Sequence, residues 1–312
     1  MAEHSFKVSV IIPVYNAEKY VTEAVESALM QPETGEVLLI EDKSPDNSLV
    51  VCQRLAAKYD KVKLFQHPDQ GNHGAGATRN VGLLNAQFPY ICFLDADDYM
   101  LPDRFKPAAK VFAENPEADG VYDAVGIHFE NDEAKYKWFS TRSFTVTSIN
   151  QNIPPKEVFY CQTIGKHGYF HTNGIIVKNK VFDIVGLFDT ELKLAQDSFM
   201  FVKIAALCKL FPGSIEEPVA MRRVHDSNRI LDSSAKVKKF KWILWHKLYQ
   251  WSEETDIPKP YKFHILERFI LINKQEGISL LMILIRKPQI LINHLFYKYL
   301  VNRIKTILSS LF

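Results

Sequence analysis

Short, unbroken apolar runs alternate with amphipathic stretches along the early part of the chain. Val8–Ile12 is continuous and mostly β-branched, and Pro13 closes it; this is the pattern of a strand covered on both faces. Tyr20, Val21, Ala24, Val25, Ala28 and Leu29 follow at helical spacing and form one apolar stripe, with Asn16 as the expected N-cap. Val37–Ile40 predicts a second buried strand. Asp46, Asn47 and Ser48 offer caps for a helix running to about Tyr59, and Val62–Phe65 predicts a third strand. A glycine-rich loop, Gly71–Gly76, leads into a helix ending near Ala86. Tyr90–Leu94 predicts a fourth strand, which runs straight into Asp95-Ala96-Asp97-Asp98.

Strand and helix alternating over short connections predict a doubly wound α/β sheet flanked by helices. Ligands of such sheets bind beyond the carboxyl ends of the strands. Those ends carry Pro13-Val14-Tyr15-Asn16, Glu41-Asp42 and Asp95-Ala96-Asp97-Asp98, so the acids converge on one edge. From about Glu130 to Pro155 the chain is polar and lacks a period, and a mobile loop is expected. Asn173–Val177 predicts a strand and Ser198–Leu210 a helix. Helical patterns dominate from Ala235 onward, broken at Pro258, Pro260 and Pro288.

Charge sharpens this division. The formal net charge of +2 gives no reason to expect a nucleic-acid partner, but it hides an asymmetry. Residues 1–235 hold 24 Lys+Arg against 31 Asp+Glu, whereas residues 236–312 hold 14 against 5. Two regions are expected: a catalytic domain over 1–235 and a basic, helical C-terminal extension over 236–312. In the extension, Ile278–Ile285 is apolar, and Ile290, Leu291, Leu295, Phe296, Tyr299 and Leu300 follow at helical spacing among Lys298, Arg303 and Lys305. Such a helix either lies in a membrane interface or packs on the catalytic domain with its basic face in water. No run reaches the length of a spanning helix, no leader is recognisable, and the four cysteines form no CxxC pair. A reducing, cytoplasmic location is therefore expected, at the inner face of the cell membrane if the tail binds there.

Three carboxylates in four residues after a buried strand repel one another unless a cation is present, and hard ions such as Mg²⁺ or Mn²⁺ suit them. Taken alone, the cluster reads equally as a solvated acidic turn. The wider pattern adds more. Val8–Glu18, Leu39–Ser48, Gly71–Gly82, Phe93–Asp98, Gly186–Asp189 with Gln196-Asp197, and Arg223-Val224-His225 together resemble, in order and spacing, the family 2 glycosyltransferases. The resemblance implies a GT-A fold with a mixed sheet, a nucleoside-diphosphate-sugar donor (a UDP-sugar above all), a glycan or lipid-linked acceptor, and inversion at the anomeric carbon. It implies that Pro13, Val14, Tyr15 and Glu18 line the nucleotide pocket, Asp42 meets the base, Asp95 and Ala96 lie by the ribose, Asp97 binds Mn²⁺ or Mg²⁺, and Asp197 is the general base. His225 is implied at the metal or diphosphate; without the resemblance it reads as a loop histidine.

Some positions depart from the family's pattern or stay open. Glu41 stands where Asp is frequent, Lys43 where Gly is frequent, and Gln196 where an acid precedes the base. Lys43 either meets a phosphate or points to water. Arg79 either reaches the nucleotide or forms a salt bridge. Arg222 reads as a surface charge. His167 and His171 have the i, i+4 spacing of a metal pair, but Gly168 between them opposes a helix. The glycine loop has neither GxGxxG nor GK[ST]. An inactive binding or scaffold relative is opposed by the retention of Asp42, Asp95, Asp97 and Asp197. A nucleotidyltransferase is opposed by Pro13–Asn16 where a basic glycine loop is expected, and a processive synthase by the lack of QxxRW.

Overall fold

In the computed structural model of the protein, which describes residues 6–225 and 234–275, the run Val8–Val14 forms strand β1 at the heart of the main sheet. It is followed by α1 (Val21–Leu29), β2 (Thr34–Glu41), α2 (Ser48–Lys58), β3 (Val62–Gln66), α3 (Ala75–Asn85), β4 (Tyr90–Phe93), β5 (Tyr99–Met100), α4 (Lys106–Glu114), β6 (Gly120–Tyr122) and β7 (Val125–Phe129). Then come α5 (Asp132–Phe139), β8 (Val146–Thr147), α6 (Pro155–Ile164), β9 (Ile175–Lys178), α7 (Val181–Val185), α8 (Gln196–Leu207), β10 (Leu210–Pro212) and β11 (Ala220–Val224). The chain divides into two compact units, Met1–Asp232 and Ser233–Phe312.

The main sheet has seven strands in the order β10-β6-β9-β4-β1-β2-β3. Its pairs are parallel except where β9 runs antiparallel to β4 and β6. β1 is apolar on both faces because both are covered. Val10, Ile12 and Val14 share a core cluster with Val21, Ala24, Val25 and Ala28 of α1. On the opposite face Gly82 lets α3 lie close to the sheet: a Cβ there would sit 2.4 Å from Ile11 Cγ2. A second sheet, β5-β11-β7-β8, pairs β11 parallel to β7 and antiparallel to β5.

Several expectations need correction. Asn16 does not cap α1; its backbone is left-handed (φ 53°), its N–H donates to Ser44 Oγ, and the helix begins only at Val21. At α2, Asn47 occupies the cap position without a side-chain bond, and Asp46 Oδ1 instead accepts from Ser48 N and Oγ. The stretch after Glu130 is ordered. Asn131 Oδ1 caps α5 by accepting from Ala134 N, and the buried Trp138 packs with Ile127, Ala134 and Val224. One large aromatic ring supplies the anchor that the polar composition conceals. The helix expected to reach Leu210 ends at Leu207, since Leu210–Pro212 joins β6 as a strand.

The C-terminal unit contains α9 (Ser234–Glu254) and α10 (Lys259–Gln275). They meet through the stacked rings of Tyr249 and Phe269, 5.0 Å apart, and a bond from Trp242 Nε1 to Asn273 Oδ1. Pro260 stands in the first turn of α10, where a missing N–H costs no helical bond. The amphipathic tail from Ile278 and the break at Pro288 lie outside the described residues. Among the described residues no helix is long and apolar enough to cross a membrane.

Candidate active site

A cleft of about 400 Å³ opens at the carboxyl ends of β1, β2 and β4. β1 contributes Pro13 and Val14, with Tyr15 following; β2 leads to Asp42 and β4 to Asp95, Ala96 and Asp97. Arg79, Asp197 and His225 line the same cleft. Glu18 does not: its Oε2 accepts from Asn47 N, and its own N–H donates to Asp46 Oδ2, so it pins the turn after β1 to the start of α2.

Asp42 is 2% exposed. Its two carboxylate oxygens accept from His73 N (2.7 Å) and Gly74 N (2.8 Å), and its carbonyl accepts from Asn72 Nδ2. The glycine loop is thus wrapped around one carboxylate, and Gly74 supplies the left-handed φ of +85° from which α3 starts.

The three carboxylates of the Asp95–Asp98 turn have separate surroundings. Asp95 Oδ1 accepts from Arg79 Nη2 at 2.6 Å, so Arg79 forms the salt bridge. Burial acts to raise the Asp95 carboxyl, but the charge and hydrogen bond of Arg79, with the charge of Arg222, outweigh it and hold the group below its ordinary range. Asp98 is buried, and accepts from Asn173 Nδ2 (2.5 Å) and Arg223 N (2.7 Å). Burial, then the charges of Asp97 and Asp95, push its carboxyl well above the usual range. Asp97 lies in the cleft with Oδ2 3.1 Å from His225 Nε2, and the His225 ring stacks on Tyr20 at 5.1 Å.

Residues that sequence reasoning did not single out hold this turn in place. Asn173 Oδ1 accepts from Asp95 N while its Nδ2 serves Asp98. Arg104, fully buried, donates to Asn173 O (2.8 Å) and to Asp123 Oδ2 (2.9 Å). Arg223 Nε donates to the Asp97 carbonyl, and its guanidinium pairs with Glu23. His171 is no metal partner of His167. It caps the 3₁₀ turn Thr172–Gly174 by accepting from Asn173 N, and burial, then Arg222, push its imidazole down to about 3.

The start of α8 also lines the cleft. Asp197 Oδ1 accepts from Ser198 N, and Ala195 before it is left-handed (φ 62°). Gln196 is buried, and its Oε1 has no hydrogen-bond partner among the described residues. Asn80 of α3 ties this wall down by donating to Phe188 O and accepting from Phe188 N. Arg222 is not a detached surface charge: it lines the cleft beside Lys193 and Gln196. Among the described residues no group of three or more His, Cys, Asp or Glu is assembled for a metal ion; Asp97 and His225 form a pair.

Residues 9–178 match the sequence profile of glycosyl transferase family 2. The minor teichoic acid biosynthesis protein GgaB of Bacillus subtilis is 28% identical over 77% of this chain and 25% of its own length. The chain spans only 25% to 43% of the length of the first curated relatives it matches. In fold it is similar to S. aureus TarS 1-349 in complex with UDP-GlcNAc (TM-score 0.63, 21% identity, 86% of this chain and 72% of that one). It is also similar to the mannosyltransferase PcManGT of Pyrobaculum calidifontis in complex with GDP-Man and Mn²⁺ (TM-score 0.55, 17% identity, 85% and 69%). Its mixed sheet flanked by helices is the GT-A type of fold. With the profile matched across more than half of its length, the chain belongs to glycosyl transferase family 2.

Proposed function

We propose that the protein transfers a sugar from a nucleoside-diphosphate donor, a UDP-sugar, to a hydroxyl of a surface polysaccharide or lipid-linked glycan, with inversion. The observation that carries this reading is that one cleft is lined both by the Asp97–His225 pair and by Asp197. Tyr15 and Asp42 face the nucleoside. Each Asp42 oxygen has a second lone pair, so holding the glycine loop leaves room for a base N–H. Asp95, fixed by Arg79, faces the ribose.

Asp97 and His225 suit a divalent ion. Neighbouring ligands of an octahedral ion at about 2.1 Å lie about 3 Å apart, which the 3.1 Å separation fits. Asp97 and His225 would hold a Mn²⁺ or Mg²⁺, which would supply positive charge to offset that of the departing diphosphate. On the opposite side Asp197 accepts the proton of the acceptor hydroxyl as its oxygen bonds to the anomeric carbon and the bond from that carbon to the diphosphate breaks. Attack from the face opposite the leaving group inverts the centre. The basic region 236–312 is proposed to hold the enzyme at an anionic membrane surface; co-sedimentation with anionic liposomes at low salt tests that, and no binding overturns it.

Calorimetry with UDP-, GDP- and dTDP-sugars, each in Mn²⁺, Mg²⁺ or EDTA, tests the donor reading. Metal-dependent binding of the UDP-sugar is expected, and Asp97→Ala should remove the difference between Mn²⁺ and EDTA. Folded protein that binds none of the three donors overturns the proposal.

A further inference from the structure

β11 presents alternate faces to two different environments. Arg223 and the following His225 turn toward Glu23, Tyr20 and Asp97. Arg222 and Val224 turn toward Trp138. Arg222 therefore reaches the cleft from a different side than His225, although both line it. Its guanidinium lies 5.8 Å from the centre of the Trp138 ring, and that of Arg142 lies 4.5 Å from the same ring. Two cations share one indole. Burial, and after it the charge of Arg222, hold the Arg142 guanidinium below its ordinary range. Among the described residues no carboxylate forms an ion pair with Arg222.

The surroundings indicate what such a pair would receive. Planar guanidiniums stacked on an aromatic face are oriented donors for phosphate oxygens. Lys193 and Asp197 line the same cleft as Arg222. Beyond Arg142, within reach of its charge, stands Tyr169 on the edge of a second cavity of about 360 Å³ lined also by Phe144, Thr147 and Ser148. His225, which follows β11, turns to the other face and meets Asp97, so the arginines approach the cleft from a different side, although the charge of Arg222 still reaches Asp95 and Asp98.

We infer that Arg222 and Arg142, braced on Trp138, form a phosphate subsite for the acceptor, and that the acceptor is a phosphate-bearing chain passing from Asp197 toward the second cavity. This inference rests on the glycosyltransferase reading of the same cleft. The phosphate chemistry has two sources, the acceptor and the donor diphosphate, and the experiment separates them. The full chain, saturated with UDP and Mn²⁺, is titrated at fixed ionic strength with a short poly(glycerol phosphate) oligomer and, as the uncharged control, with glycerol. Binding of the oligomer but not of glycerol is expected. Arg222→Gln and Arg142→Gln should each raise the oligomer Kd at least tenfold, with Arg222→Lys in between, and Arg142→Gln, at a position outside the cleft lining, should leave the UDP Kd within twofold. Arg142 lies outside the strand, so its variant guards against a folding defect in Arg222→Gln. Weakened UDP binding with unchanged oligomer binding would assign the arginines to the donor and overturn the inference. UDP binding without any oligomer binding overturns it too, while leaving the transferase reading standing. Oligomer binding through the arginines in a protein that binds no nucleotide would instead sink the transferase reading.

Discussion

On the side of the cleft built by β1, β2 and α3, carboxylates are anchored by nearby backbone. Asp42 holds the amides of His73 and Gly74, separated from it by 31 and 32 positions, and Asp46 holds Ser48 two positions on. On the side reached by β11 and the 3₁₀ turn before β9, the partners are remote in sequence. Asp98 joins Asn173 across 75 positions and Arg223 across 125, Asp97 joins His225 across 128, and Glu23 joins Arg223 across 200. The first side is a shaped receptacle that local sequence can build. The second exists only when distant segments have met, and it carries the pair proposed to hold the metal ion. A receptacle with local bonds tolerates loss of chemistry, whereas the distant side should lose chemistry or stability with single changes.

Asp197→Asn should give the largest effect and the cleanest separation of the two sides. Removing the proton acceptor while keeping shape should lower turnover by about 10²–10⁴-fold. Donor affinity should stay within about twofold, since Asp197 is not among the groups proposed to hold the donor. Single-turnover transfer and calorimetry on the same preparation measure both; normal transfer by the variant would show that another group takes the proton. Asn173→Ala should act on stability instead. It leaves the Asp95 amide and the Asp98 carboxyl each short of a partner in a buried setting. At about 1–3 kcal/mol for each such group, a loss of about 3 kcal/mol is expected. Urea unfolding reads it, and a loss below about 1 kcal/mol would mean that Arg104 and Arg223 hold the acidic turn unaided.

The same contrast explains what was legible in the sequence. The buried runs of β1 and β2, the glycine loop and the acidic turn are local patterns, so their order and the edge on which the acids gather followed from periodicity alone. Arg222 was read as a surface charge because a basic residue beside Arg223 carries no local sign of which face of β11 it takes. The segment after Glu130 was expected to be mobile because its order depends on Trp138 reaching Ile127 and Val224. Asn173 and Arg104 gave no signal beyond a polar residue beside an apolar run, since their value comes from partners elsewhere in the chain. Asn16 misled for the opposite reason: a good local cap was overridden by the Ser44 hydroxyl that its N–H meets.

The smallest predicted effect probes the distant side through pH. His171 is pressed by burial and by Arg222 to about 3, while Asp95 acts to raise it and Arg79 to lower it further. A histidine whose folded value lies below its unfolded one takes up its proton more readily when unfolded. Its contribution is therefore intact above about pH 6.5 and is lost as pH falls from there toward 3. At pH 4.5 the loss should be about 2.7 kcal/mol. Asp98 works in the other direction, because its raised carboxyl favours the folded state as the solution becomes more acidic. The whole-protein curve mixes the two, so the useful quantity is a difference. His171→Asn keeps an acceptor for Asn173 N at the start of the 3₁₀ turn and cannot titrate. Relative to this variant, the parent should lose stability steadily between pH 6.5 and 4.5 in urea melts. Parallel curves would mean that His171 is not held neutral by its surroundings, and the distant side would then lack the buried electrostatics that set it apart from the local one.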